Sequence, residues 1–469
     1  MNPKAGAGKS YLVLACGVAT LGGLLFGYDT AVISGAIEPL REWFDLDATM
    51  KGWAAGCALV GCVAGVILAG PMNDRLGRRT TLLLAAALFL VSALGTALPR
   101  TFTEFVIFRI LGGLGVGIAS MTSPMYIAEI SPARLRGRMV SLNQFAIVFG
   151  MLVVYFVNYH IAGLGDDSWM RTTGWRWMFG SEAVPALILL AALFFVPESP
   201  RFLCRKGRTK QARMILARID GAVHADREIA EIEATLRQES GNFRELLRPG
   251  LRGVLILGIA LAVLQQVTGI NVFLYYAPDI FRSIAGAGTD IALLQTVVVG
   301  AVNLVFTVIA IVTVDRIGRR PLMIAGAAGM GISLVAIGAA SSAQAIGGWL
   351  LLFVLGYIAS FALSVGPVTW VILSEIFPTK LRGRALAIAT FFLWSANFVV
   401  SQTFPMMDEN PWLLERFHHG FPFFIYAAFC VVLVWVVMRF VPETKGRSLE
   451  EIERDWQIKN PGRATTGAE

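Results

Sequence analysis

The sequence predicts an all-α membrane protein: twelve transmembrane helices in two six-helix halves, with a cytoplasmic helical linker. Three observations carry that prediction. Apolar residues make up 56% and charged residues 15% of the 469, and the mean hydropathy is +0.65, far from the mix of a soluble enzyme. About twelve runs supply the roughly 20 apolar residues that cross about 30 Å of hydrocarbon. Short motifs of the first half of the chain return in the same order in the second.

The runs lie near 11–37, 52–72, 80–98, 103–127, 139–161 and 175–196, then 252–277, 291–314, 321–342, 348–374, 385–407 and 421–441. Backbone polar groups in lipid must be satisfied within their own segment, so these runs are read as helices. The first begins after ten residues, carries Asp29 and lacks a small-residue cleavage site, so it is expected to be retained rather than removed as a signal peptide. Basic residues cluster in alternate loops: Arg75, Arg78 and Arg79; Arg134, Arg136 and Arg138; Arg316, Arg319 and Arg320; Lys380, Arg382 and Arg384. The positive-inside rule then places both termini in the cytoplasm. The net charge of +8 is accounted for by topology and attraction to anionic lipid. No basic patch interleaved with aromatics points to nucleic acid. Cys16, Cys57, Cys62, Cys204 and Cys430 fall in spans or on the cytoplasmic side, so no disulfide framework is expected.

Motifs borrowed from soluble proteins do not survive their context. "GAGKS" at 6–10 ends like a phosphate-binding loop, but the glycine that pattern needs falls on Pro3 and no strand precedes it. "GGLGVG" at 112–117 lies inside a hydrophobic run, where small residues let helices approach closely. His160, His224, His418 and His419 show no ligand spacing, and the adjacent pair sits in an exterior loop, read as solvated surface. With no nucleophile, metal cluster, cofactor or nucleotide site in a plausible context, an enzyme is the least favoured reading.

The repeats define the organisation. "DRLGRR" at 74–79 returns as "DRIGRR" at 315–320, "AEISPARLRGR" at 128–138 as "SEIFPTKLRGR" at 374–384, and "PESPRFL" at 197–203 is echoed by "PETKGRSLEEI" at 442–452. Each copy comes about 245 residues after the first, so the two halves run in the same direction. The expected units are a first bundle at 1–196, a polar linker at 197–250 with helical periodicity near "DREIAEIEATLRQ", a second bundle at 251–441 and a cytoplasmic tail at 442–469.

Asp29 stands alone in the nearly uncharged "ATLGGLLFGYDTAVISGAI". An ionised carboxylate at membrane depth is expensive without a partner and usually marks an ion or proton pathway. Arg109 in "FRILGG" is the plausible partner, and Glu182 in "FGSEAVP" could tune the pair. A purely structural ion pair is the competing reading.

Taken in order, "GGLLFGYDTAVISG", "DRLGRR", "PMYIAEISPARLRGR", "PESPRFL", "QQVTGINVFLYYAP", "DRIGRR", "SEIFPTKLRGRALA" and "VPETKGRSLEEIE" resemble the signatures of the sugar porter family of the major facilitator superfamily. "SLNQFAIVFG", "TDIALLQT" and "TFPMMDEN" are most like its bacterial pentose–proton symporters. The resemblance implies two bundles rocking about a central site, and a monosaccharide and a proton as partners. D-xylose or D-glucose is the foremost sugar. It also implies a monomer in a bacterial inner membrane. It points to Gln144, Gln265, Gln266, Asn271, Asn303 and Trp370 as sugar contacts, and to Phe26, Tyr275 and Trp394 as cavity or gate aromatics. The chemistry agrees, because each sugar hydroxyl leaving water needs a hydrogen bond while the C–H face of the ring rests on an aromatic surface. Buried amides can instead join helices, and Trp394 can be packing alone.

Departures from the family pattern matter. Met151 and Leu393 stand where a pentose symporter of the family carries glutamines, and Val365 where a tryptophan would precede Gly366. The expected cavity is less polar, so affinity or epimer preference should differ. Glycine and proline in "QQVTGIN" and "SVGPVTW" are expected to break the seventh and tenth spans as gating elements. Asp74, Arg78, Glu129 and Arg136, with their counterparts Asp315, Arg319, Glu375 and Arg382, are expected to form ion pairs that close the cytoplasmic face. An acidic residue at the Asp29 position looks typical of proton symporters in this family, and asparagine of facilitators. The hypotheses are thus a proton-coupled importer, a passive facilitator and, disfavoured by the short C-terminal tail, a non-transporting sensor.

Overall fold

Among the described residues of the computed structural model, twelve helices are long and apolar enough to cross a membrane, one for each run read from the sequence. The structure describes residues 3–238, 246–247, 249–286, 288–345, 347–377 and 381–445. The spans are Ser10–Phe44, Ala48–Leu76, Arg78–Ala97, Phe102–Ile130, Ala133–Ala162 and Asp167–Phe195, then Leu251–Tyr275, Thr289–Val314, Arg319–Ser342, Leu350–Ile376, Arg382–Asp408 and Phe421–Phe440. They are numbered 1 to 12. Span 2 starts where the Asp47 side chain accepts the amide of Met50 at 2.7 Å, and span 4 where Thr101 accepts that of Glu104 at 3.2 Å, both N-caps of the usual chemistry.

Small residues set how closely the spans pack. A Cβ on Gly113 of span 4 would stand 1.8 Å from the Ala58 carbonyl of span 2, and one on Gly117 would stand 2.3 Å from the Cys62 carbonyl. "GGLGVG" is therefore a helix-packing surface. Spans 1 and 5 meet the same way, through Gly27 against the Ile147 carbonyl and Gly150 against that of Leu24. Between the first six spans and the last six, spans 2 and 11 pack together, as do spans 5 and 8. The aromatic pair Trp53 and Phe398 meets edge to face at 5.8 Å.

The predicted helix breaks are present. Helix stops at Val267 and restarts at Ile270 after Gly269, whose φ of 94° is a left-handed conformation that favours glycine. The carbonyl freed at Thr268 accepts the Tyr357 hydroxyl at 2.9 Å, as a break at membrane depth requires. In span 10 a π-helical turn, Phe361–Val365, precedes Gly366 and Pro367.

Among its described residues the linker carries three short helices, Pro200–Arg205, Thr209–Asp220 and Ala222–Gln238. Leu216, Ala225 and Ile229 give it a small core of its own. Arg134 and Arg136 at the start of span 5 hold it through Asp220 at 2.7 Å and Glu228 at 3.3 Å. Residues 239–245 and 248 of the linker, Lys380 and the tail from residue 446 lie outside the described residues. One exterior expectation is corrected: His419 is not solvated surface but half-buried, with Nδ1 3.0 Å from the Asp408 carboxylate. That hydrogen bond raises its pKa above the ordinary histidine value, because the carboxylate favours the charged ring.

Candidate functional site

Three ionisable side chains meet in the middle of the first six spans. Arg109 Nη1 of span 4 donates to Asp29 Oδ1 of span 1 at 2.7 Å and reaches the Asp29 carbonyl at 3.4 Å. Its guanidinium carbon stands 5.5 Å from the ring centre of Phe179. Glu182 of span 6 lies within electrostatic reach of both. All three are buried to 1% exposure or less. Gly112 makes room, since a Cβ there would stand 2.4 Å from Ser92 Oγ and 3.1 Å from Asp29 Oδ1. Next in sequence to Asp29, the Tyr28 hydroxyl meets Ser181 at 2.7 Å, tying span 1 to span 6. Asp29 Oδ2, both Glu182 oxygens and Arg109 Nε find no hydrogen-bond partner among the described residues.

Three of the expected amides, Gln265, Gln266 and Asn271, lie together around the break in span 7. Gln265 Nε2 donates across to span 10, to the carbonyls of Gly366 at 2.9 Å and Val365 at 3.2 Å. Gln266 donates to Gln265 Oε1 at 3.3 Å and accepts from Asn271 Nδ2 at 2.5 Å. Tyr275 accepts from Asn397 at 3.4 Å, and Asn397 is a polar neighbour the sequence reading missed. Phe26 and Trp394 face each other across the two sets of spans with ring centres 5.5 Å apart. Trp394 Nε1 is buried with no partner among the described residues. Asn303 is buried, Gln144 half-buried and Trp370 exposed at 38%. Met151, Leu393 and Val365 are all buried.

At the end that carries the arginine loops, the repeat is reproduced contact for contact. Arg78 meets Glu129 at 2.7 Å and Arg319 meets Glu375 at 2.9 Å. Each carboxylate takes a second hydroxyl partner, Ser199 on Glu129 and Thr444 on Glu375. Glu198 accepts the backbone amides of Arg78 and Arg79, and Glu443 those of Arg319 and Arg320. Gly77 and Gly318, at φ of 91° and 106°, form these turns. The other expected gate residues pair differently. Asp74 goes to Arg205 of the linker at 2.5 Å, Arg136 to Glu228 and the Ala128 carbonyl, and Arg382 reaches the Phe377 carbonyl at 3.5 Å. The Asp315 side chain lies outside what the structure describes. The two arginine–glutamate pairs each join spans within one set of six, not one set to the other. Glu198, Ser199, Glu443 and Thr444 were legible only as repeated "PES" and "PET".

Residues 15–456 match the family described as "Sugar (and other) transporter". The chain is 50% identical to the D-xylose-proton symporter of Escherichia coli K12, covering 96% of each. It is 42% identical to the arabinose-proton symporter of Bacillus subtilis, covering 95% of each. Among solved structures, that of the proton:xylose symporter XylE of the major facilitator superfamily, bound to 6-bromo-6-deoxy-D-glucose, superposes with a TM-score of 0.82 at 50% identity, covering 95% of this chain and 99% of that one. With twelve spans, two in-line repeats and this full-length match, the chain belongs to the sugar transporter family of the major facilitator superfamily, and is a multi-pass membrane transporter rather than an enzyme.

Proposed function

We propose that this protein is a proton-coupled symporter that imports a monosaccharide, a pentose or hexose with D-xylose or D-glucose foremost, by alternating access. In this reading the bundles 1–196 and 251–441 rock about the amide cluster, 197–250 links them, and 442–469 is a tail. The protein sits in a bacterial inner membrane with both termini cytoplasmic.

The observation that carries the proton is the charge balance of the buried cluster. Asp29 and Glu182 bring two carboxylates to one guanidinium, and a surplus charge at membrane depth is costly. The cluster is stabilised by holding one proton. A proton on Asp29 breaks the attraction to Arg109 and frees the guanidinium for Glu182. The hydrogen bond that ties span 1 to span 4 is then lost, and the preferred orientation of the bundles changes. Sugar and proton become linked through that one equilibrium.

The sugar site is supported by Gln265, Gln266 and Asn271, whose amides lie at the helix break. Trp394 adds an indole N–H without a partner among the described residues, and Phe26 and Trp394 add apolar surface. Substituting Met151 and Leu393 for amides removes donors, each costing a hydroxyl on the order of 1 kcal/mol, so the ranking of sugars should differ from that of the pentose symporters.

A proteoliposome assay with an imposed pH gradient and a panel of monosaccharides, polyols and carboxylates tests the proposal. Uphill uptake of a monosaccharide that collapses with uncoupler is the expected result. Uptake that only equilibrates would mark a passive facilitator, and competition by a polyol or carboxylate alone would overturn the sugar assignment.

A further inference from the structure

At the end opposite the arginine loops lies a second buried charge cluster that the proton pathway does not use. Lys51, one turn into span 2, is 5% exposed, which an ammonium tolerates only with partners. It has three. Glu38 of span 1 contacts Nζ, Asp279 stands 3.0 Å away and Glu409 3.4 Å away. Asp279 belongs to the helix Ala277–Ala285 that follows span 7, and Glu409 caps the end of span 11. Around them Arg41 holds Glu409 through two bonds of 2.8 and 2.7 Å and stands 3.9 Å from Glu38, while Arg282 holds Asp279 at 2.6 Å.

The arrangement of signs gives this cluster its meaning. Three cations and three carboxylates make it neutral when assembled. Divided between the two sets of spans, Arg41, Lys51 and Glu38 carry one net positive charge, and Asp279, Arg282 and Glu409 carry one net negative charge. Separating the halves at this face therefore pulls opposite net charges apart and strips Lys51 of two of its three partners. The contact beside it is tight: Gln402 of span 11 donates to the Thr49 carbonyl at 2.8 Å, and a Cβ on Gly52 would meet the Gln402 carbonyl at 2.4 Å. Because Lys51 touches carboxylates from spans 1 and 11 and from the span 7 extension together, it reads all three moving elements at once.

We propose that Lys51, clasped by Glu38, Asp279 and Glu409, is the latch that holds the outer face closed, and so sets how much of the protein faces inward. The inference rests on the reading that the two bundles rock and that this face is the outer one. Lys51 is a positioning residue: it touches no part of the sugar site, and acts on transport by shifting the balance of orientations. With the ammonium replaced by an apolar group, the assembled state holds three carboxylates against two cations, and the open state, in which water reaches them, gains.

The test uses the full-length protein and two variants, Lys51→Met and Glu409→Gln, with Lys51→Arg as the conservative control. Amide hydrogen exchange without sugar is followed for the segments around 38–56, 272–282 and 398–410. The latch predicts exchange faster by about tenfold in Lys51→Met, a smaller rise in Glu409→Gln and recovery in Lys51→Arg. Counterflow from each face of proteoliposomes then separates a latch from local loosening. A protein biased outward binds outer sugar with a half-saturation lower by about threefold and inner sugar with a higher one, whereas loosened packing moves both alike. Wild-type exchange in Lys51→Met, or faster exchange with both half-saturations unmoved or moved together, would overturn the latch. Glu409→Gln keeps the test decisive if Lys51→Met does not fold. Exchange is read without sugar, so a wild-type protein that carried none would sink the transport proposal, whereas wild-type exchange in Lys51→Met would sink the latch by itself.

Discussion

Gln265 of span 7 donates its side-chain amide to the backbone carbonyl of Gly366 in span 10, 2.9 Å away. The two residues stand at the two helix breaks, so the glutamine that is expected to read a sugar hydroxyl also satisfies a carbonyl beside the π-helical turn. Gln265→Ala should therefore act twice. Sugar binding is expected to weaken by about tenfold or more, the value of one good hydrogen bond with a hydroxyl left stranded. The melting temperature should fall modestly through the lost bridge. Binding measured by tryptophan quenching or calorimetry, beside a thermal melt, separates the two effects. Unchanged affinity with a lower melting temperature would reduce Gln265 to a helix joiner.

Close packing of spans 2 and 4 gives a prediction of pure sterics. Gly113→Ala places a methyl 1.8 Å from the Ala58 carbonyl, and relieving that overlap is expected to cost about 1–3 kcal/mol. Gly137→Ala, where a Cβ meets nothing within 4 Å, should be neutral or slightly stabilising. Paired thermal melts in one detergent check the contrast, and equal melting temperatures for the two variants would contradict it.

Glu443 offers a pH dependence outside the membrane. Burial pushes its carboxyl up, but the amides of Lys445, Arg319, Arg320 and Thr444 outweigh burial and leave it below its ordinary value. A carboxylate depressed in the folded state adds stability that is present above its unfolded pKa of about 4.3 and fades as pH falls through the lower folded value. Glu443→Gln is thus expected to lower the melting temperature at neutral pH and to flatten its fall below about pH 4.5. The group is largely solvent-screened, so the effect should be small. A variant whose acid limb matched that of the wild type would show the amides to be no anchor.

The fold was legible because the bilayer imposes one rule on every span: length and apolarity announce a helix. Within the site, Asp29 and Arg109 were legible for the same reason, since a charge at membrane depth needs a partner. Lys51 was not legible in this way, because it stands just ahead of the run at 52–72. Its carboxylates come from positions 38, 279 and 409, and no periodicity links such distant residues. The members of the repeated arginine–glutamate pairs could be named from the motif copies, but not that Arg78 would meet Glu129 and Arg319 would meet Glu375. The pairing of Asp74 with Arg205 and of Arg136 with Glu228 could not, because it depends on how the linker helices dock.

In the proposed mechanism coupling turns on Asp29, whose carboxylate accepts from Arg109 at 2.7 Å with Glu182 beside it. Asp29→Asn keeps the shape and removes the carboxylate. In proteoliposomes given an inward pH gradient, this variant should fold, bind sugar and exchange it down a concentration gradient, yet fail to accumulate it uphill. A variant that still concentrates sugar in response to the imposed gradient would contradict the assignment of Asp29 as the coupling site.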